Sequence, residues 1–235
     1  MLIASSFSSV IIFGVKLDKY LDIDSWKRKN QFYFFKNYDN PFYNICTDVE
    51  ITNFYRFIKS NKLSFFLSNL FLSIKAANNL EEFRYRIKGN SVIIFDKINP
   101  SSTILNDDNT FKFCRFKYYD NFNEYLTKAE NTLKDALQTK NILNPEADKI
   151  NVIHYSTIPW IRFNSISHAR KYGTDDSIPK IVFGKYYKNN FKMMLPVSIE
   201  VHHSLTDGYH VAEYLKLYQS YLEHPEDNLI ENPHE

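Results

Sequence analysis

The stretch VSIEVHHSLTDGYHVAEYL, Val197 to Leu215, carries the residue types with the most chemistry to offer. An alternating apolar run leads into His202 and His203, an Asp207-Gly208 step follows, and an amphipathic run closes it. If the run is a strand reaching His203, then Val197, Ile199, Val201 and His203 share one face and Ser198, Glu200 and His202 share the other. An imidazole at the end of an apolar face is partly desolvated, which favours the neutral form that can act as a base. Asp207 stands where the next helix should begin. Its carboxylate can cap that helix and accept a charged partner, while Gly208 lets the chain turn sharply. Each residue also has a plain structural reading, as a strand-end histidine, an N-cap and a turn glycine. His202, His203, Asp207 and His210 could be read as a metal site, but no cysteine or further carboxylate sits beside them in a usual ligand spacing. A Ser-His-Asp hydrolase would need a GxSxG elbow, and the chain has none.

Elements that could hold such a site alternate along the chain. DIDSWKRKNQFYFFKN opens with Asp and Ser capping candidates and predicts a short helix. NICTDVEIT alternates as a strand, followed by a helix from Thr52 or Asn53. LSFFLSNLFLSIKAANNL is apolar almost all round, the pattern of a helix buried on most sides. FRYRIKGNSVIIFDKI predicts a hairpin turning at Gly89-Asn90. In NFNEYLTKAENTLKDAL, Asn121 and Glu124 are spaced as a capping box ahead of a stripe that ends at Ala136 and Leu137. Strands are expected at 151–154, 180–187 and 193–202, then a helix with Val211, Leu215, Tyr218 and Leu222 on one face. The sum is one mixed α/β domain, helices packed on a sheet that contains antiparallel hairpins.

Composition narrows the partners. The chain has 235 residues, enough for one sizeable core, and a formal net charge of +2 with both signs interspersed, so there is no basic field for nucleic acid. Five scattered glycines leave no P-loop and no GxGxxG loop. Cys46 and Cys114 are too few for a disulfide scaffold, and a reducing, cytoplasmic setting is the simpler reading. The apolar start MLIASSFSSVIIFGV is too short to span a bilayer, so residues 1–18 read as an extension outside the main fold, 19–223 as the domain, and the polar 224–235 as a frayed tail.

HHSLTDGYH resembles the HHxxxDG signature of the chloramphenicol acetyltransferases, and the likeness extends from about Lys19 to Leu222. SWKRKNQFYFF is similar to that family's opening helix, EEFRYRIKGNSVIIFDKINPSSTIL to its central hairpin, STIPWIRFNS to its Ser-x-x-Pro-Trp segment, and FGKYYKNNFKMMLPVSIEVHH to the strands leading into the histidines. The resemblance implies a two-layer α/β sandwich, a homotrimer with active sites between subunits, acetyl-CoA as co-substrate with no metal, and a hydroxyl acceptor. It implies His203 as general base, Ser156 as hydrogen-bond donor to the tetrahedral oxyanion, and Asp207 paired with Arg28 to hold the His203 loop. Lys185 and Tyr186 match residues that meet the adenosine end of CoA. Phe35, Tyr43, His168 and Val182 fall where the family's acceptor pocket lies.

Departures gather on the acceptor side. Phe35 stands for a tyrosine, Val182 for a threonine, His168 for an apolar residue, Glu200 for a glutamine and Thr206 for a cysteine. These leave three readings open: acetylation of chloramphenicol, acetylation of a different small hydroxylated compound, or a non-catalytic trimeric binding protein. The short signature also occurs in acyltransferase cores of 2-oxo-acid dehydrogenase complexes, but no lipoyl-type domain and linker precede it here.

Overall fold

The computed structural model describes residues 19–139, 149–170 and 175–230. The first elements are β1 (Lys19–Tyr20), α1 (Lys29–Lys36), β2 (Phe42–Glu50), α2 (Thr52–Asn61) and α3 (Phe65–Asn78). A 3-10 turn over Glu81–Arg84 leads to β3 (Tyr85–Lys88), β4 (Ser91–Ile94), β5 (Asn99–Leu105), β6 (Phe111–Arg115) and α4 (Phe122–Gln138). The remainder is β7 (Val152–Thr157), β8 (Lys180–Phe183), β9 (Tyr187–Asn189), β10 (Lys192–His202), α5 (Gly208–Glu223) and α6 (Glu226–Leu229).

Seven strands form a mixed sheet in the order β2-β10-β8-β7-β5-β6, with β9 pairing to β10. β5, β7 and β8 run parallel to one another, and the other pairs are antiparallel. A small second sheet has the order β1-β4-β3. Leu195, Val197, Ile199 and Val201 on one face of β10 pack with Ile181, Tyr155 and Ile45 into the main core beneath α3 and α5. As its all-round apolar pattern predicts, α3 is buried along most of its length; Ser64 caps it by accepting from Leu67 N–H, and Ser73 meets the Tyr155 and Tyr214 hydroxyls at 3.0 and 2.6 Å. A smaller core joins Phe32 of α1, Tyr85 and Ile87 of β3, and Val92 and Ile94 of β4 to Leu205. Leu205 lies inside the HHxxxDG stretch, so this cluster seats that turn against α1.

Several expectations need correction. β10 ends at His202, so His203 begins a turn instead of completing the strand's apolar face. Ser198, Glu200 and His202, on the other face of β10, are buried as well. The long strand 180–187 is broken: Gly184, where a Cβ would lie 3.0 Å from Phe163 and 3.1 Å from Pro196, separates β8 from β9. α1 starts after Arg28, while Asp22 and Ser25 hydrogen-bond to each other in the turn before it. Leu137 ends the α4 stripe in solvent, at 55 % exposure. At the other end of the chain, α6 buries Leu229 against the main core, so residues 224–229 are folded and not frayed. Residues 1–18 lie outside the described residues.

Candidate active site

The turn after β10 is closed by Leu205 N–H and Thr206 N–H, both donating to His202 O at 3.0 and 3.1 Å. Asp207 follows as N-cap of α5, its own N–H donating to His210 Nδ1 at 2.9 Å. Arg28, just before α1, forks onto the Asp207 carboxylate, with Nη2 donating to Oδ1 at 2.9 Å and Nη1 to Oδ2. Nη2 also donates to His203 O at 3.2 Å. Burial alone would raise the Asp207 carboxyl, but the Arg28 hydrogen bonds and charge outweigh it and hold its pKa below the ordinary value. A planar guanidinium suits this role because it fixes a carboxylate and a carbonyl at once.

His203 is held from both sides of its backbone, since its N–H donates to Pro41 O at 2.8 Å. Its imidazole lies flat on Phe35, centroids 3.9 Å apart and 5° from parallel, and is tilted against Tyr43 at 4.5 Å. Nδ1 is 3.3 Å from Asp207 Oδ1, and the side chain remains one-third (33 %) exposed. Burial pushes the Tyr43 hydroxyl up to about 12, so Tyr43 is neutral beside the ring. Arg28, Phe35, Tyr43, His203 and Asp207 therefore come together, from α1, β2 and the start of α5.

Ser156 lies elsewhere. In β7 it is level with Val182 of β8, which is level with Ser198 of β10 and, beyond it, Cys46 of β2. Directly opposed residues point to one face, so Ser156 and Val182 lie on the face away from the α3 and α5 layer. Thr103 Oγ1 donates to Ser156 Oγ at 3.4 Å, and Thr103 is opposite Phe113 of β6. Val182 is buried at 1 % exposure. His203 is five residues beyond Ser198, which at about 3.3 Å per residue is roughly 16 Å along β10, and two strand spacings add roughly 10 Å across the sheet. One chain thus keeps His203 and Ser156 roughly 19 Å apart by that reckoning.

His168 sits on the irregular residues 158–170 after β7, which cross this same face. Asn44 Nδ2 donates to Ile166 O at 2.7 Å and Lys180 Nζ to Ala169 O at 2.6 Å, pinning the segment to the sheet. His168 is half-buried, with Nε2 making no hydrogen bond among the described residues, and burial lowers its pKa despite the nearby Glu200 charge. Lys185 and Tyr186 occupy the break between β8 and β9. There Tyr186 packs against Tyr55 and Phe65, both with centroids at 5.4 Å, and Lys59 Nζ lies 5.6 Å from the Tyr55 ring centroid.

The family profile described as chloramphenicol acetyltransferase matches residues 18–219. The chain belongs to the chloramphenicol acetyltransferase family. It is 29% identical over 197 residues to a chloramphenicol acetyltransferase of Clostridium perfringens, covering 83% of this chain and 90% of the relative. A namesake from Clostridium butyricum is 30% identical over 199 residues, with the same coverage of 83% and 90%. A solved chloramphenicol acetyltransferase superposes with a TM-score of 0.82 at 27% identity, covering 88% of this chain and all (100%) of that one. A probable dihydrolipoamide acetyltransferase from Listeria monocytogenes shares the fold, with a TM-score of 0.62 at 14% identity over 83% of this chain and 89% of that one.

This member of the chloramphenicol acetyltransferase family is therefore an acyltransferase whose chemistry is acetyl transfer. Among its described residues no helix is long and apolar enough to cross a membrane. Residues that sequence reasoning missed include Tyr55, Lys59 and Phe65 around Tyr186, which read only as helix positions, and Arg170, which lies in a segment with no periodicity. Arg170 joins Glu200 and Asp176 in a buried ion cluster on the Ser156 face.

Proposed function

We propose that the enzyme transfers the acetyl group of acetyl-CoA to a hydroxyl of chloramphenicol, at sites built between the subunits of a homotrimer. One observation carries this reading: a one-third-exposed (33 %) imidazole is clamped by the Arg28–Asp207 pair just past the end of β10, while Ser156 lies two strands away on the sheet face, roughly 19 Å off by strand geometry. A base and an oxyanion donor so separated can serve one reaction only if two copies meet. Leu105, Phe111 and Phe113, at 47 %, 53 % and 42 % exposure, lie beside Ser156 on its face and give a partner an apolar surface to cover.

At such a junction His203 takes the proton of the acceptor hydroxyl as its oxygen attacks the thioester carbonyl. General-base help of this kind is worth about 10² to 10⁴ in rate. The carbonyl carbon becomes tetrahedral, and its oxyanion receives the hydrogen bond of Ser156 from the neighbouring copy. Collapse breaks the carbon–sulfur bond, and the imidazolium returns the proton to the leaving thiolate. Asp207 and Arg28 keep the ring aimed and touch neither substrate. Tyr186 with Tyr55 offers aromatic faces for the adenine, and Lys59 and Lys185 offer charge for phosphates. Phe35 and Tyr43 wall the acceptor side, with His168 and Val182 on the Ser156 face. Free Cys46 and Cys114 fit a cytoplasmic setting.

The half-buried His168, whose Nε2 makes no hydrogen bond among the described residues, favours a second reading in which the same reaction serves a more polar hydroxylated acceptor. The test is thiol release from acetyl-CoA by the purified protein with chloramphenicol, with a panel of hydroxylated small molecules, and with no acceptor. Release with chloramphenicol that disappears in His203→Ala supports the first reading, and release with another acceptor alone supports the second. Silence throughout contradicts both and leaves a binding protein.

A further inference from the structure

We infer that Arg170 is a second positioning residue for His203, acting from the side opposite Arg28; the inference rests on His203 being the base. The guanidinium of Arg170 is nearly fully buried, at 1 % side-chain exposure. Its Nε donates to Glu200 Oε2 at 2.7 Å, and Nη2 lies 2.6 Å from the same oxygen. Nη1 donates to Asp176 Oδ2 at 2.8 Å and to Ile178 O at 3.0 Å. The plane so fixed rests on Phe42, with Cζ 3.7 Å from the ring centroid. Phe42 in turn meets His202 edge-on at 4.9 Å and is its partner in the β2–β10 register. The residue before Phe42 is Pro41, whose carbonyl takes the His203 N–H.

Arg170 therefore fixes the corner that holds one end of the His203 peptide, while Arg28 holds the carbonyl at the other end. Two guanidiniums, each locked by a carboxylate, define where the imidazole begins and how it is aimed. Stability alone does not call for such a cluster. A buried ion pair replaced by apolar residues of similar volume is often neutral or stabilising, whereas removal of one partner strands a buried charge. The two roles can thus be separated by mutation. Arg170→Met leaves Glu200 unpaired and should lower both thermal stability and kcat. Arg170→Met with Glu200→Gln removes both charges of that pair and should recover much of the stability, yet keep kcat down about tenfold or more, because small displacements of a catalytic group cost that much. Arg170→Lys, a point charge without the flat fork, should fail to restore kcat. KM for acetyl-CoA should stay unchanged in all three.

A readout independent of turnover is the rate at which diethyl pyrocarbonate modifies His203, followed by peptide mass mapping. The double variant should react several-fold faster than the unaltered protein, as the turn loosens. A stable double variant with full kcat and an unchanged modification rate would overturn the inference. If the unaltered protein shows no acetyl transfer, the proposed function fails on its own, and a modification rate that still rises in the variant supports Arg170 as the anchor of the His203 turn.

Discussion

Acidification from about pH 7.5 to 5 should cost this protein about 4 kcal/mol of folding stability. The cause is two histidines walled into the sheet. Burial lowers His154 and His202 from 6.5 to about 4 each, and neither finds enough compensating negative charge among its neighbours. In the unfolded chain both titrate near 6.5, so below that value the unfolded state binds more protons. Stability is complete above the unfolded value, falls by about 1.4 kcal/mol per pH unit for each histidine, and levels off near the folded value. At pH 5 each has therefore removed about 2 kcal/mol. His168 and His210, also lowered by burial, add in the same direction. Asp207 and Glu50, held below the ordinary carboxylate range by their cations, stay ionised through this window and do not cause the loss. Urea unfolding at fixed protein concentration, at about pH 7.5 and 5 with His154→Gln alongside, measures it. His154→Gln should lose about 2 kcal/mol less than the unaltered protein over that interval. An unchanged midpoint on acidification, or an identical loss in the variant, would refute the reasoning.

Three further outcomes follow from the site. Ser156→Ala should raise the transition-state barrier by about 2 to 4 kcal/mol with little change in KM, read as kcat at saturating substrates; an unchanged kcat returns Ser156 to an ordinary strand position. Asp207→Asn should lower both the melting temperature and kcat, by about 1 to 2 kcal/mol in stability, because Arg28 loses an ionic partner that is one-third solvated; a loss of rate with no loss of stability would contradict the clamp. Tyr186→Ala should raise KM for acetyl-CoA severalfold while leaving KM for the acceptor alone, and an effect on the acceptor alone would remove Tyr186 from the donor side.

Much of this was legible in the chain because local rules and packing agreed. Gly89 adopts a positive φ of 58° at the hairpin turn, Asn121 caps α4 through Glu124 N–H, and the all-apolar α3 is the buried helix. The Arg28–Asp207 pairing that the family likeness implied is present as a bidentate contact. What could not be read was set by tertiary partners. Alternation along β10 divides its residues between two faces without saying what covers the second; Glu200 and His202 are buried there, and Arg170, from an aperiodic segment, pairs with Glu200. The break at Gly184 comes from Phe163 and Pro196, neither a neighbour in sequence. Sequence order says nothing of strand order, so the distance between Ser156 and His203 became visible only once β8 was seen between β7 and β10.

Mixing two inactive proteins tests most directly whether His203 of one copy works with Ser156 of another. His203→Ala and Ser156→Ala chains, unfolded together in equal amounts and refolded, should assemble at random. By that assortment about a quarter of the junctions pair an intact His203 with an intact Ser156. Recovery of about a quarter of the unaltered acetyl-transfer rate is expected, against almost none for either variant refolded alone. A mixture no more active than the mean of its two parents would contradict a site shared between copies.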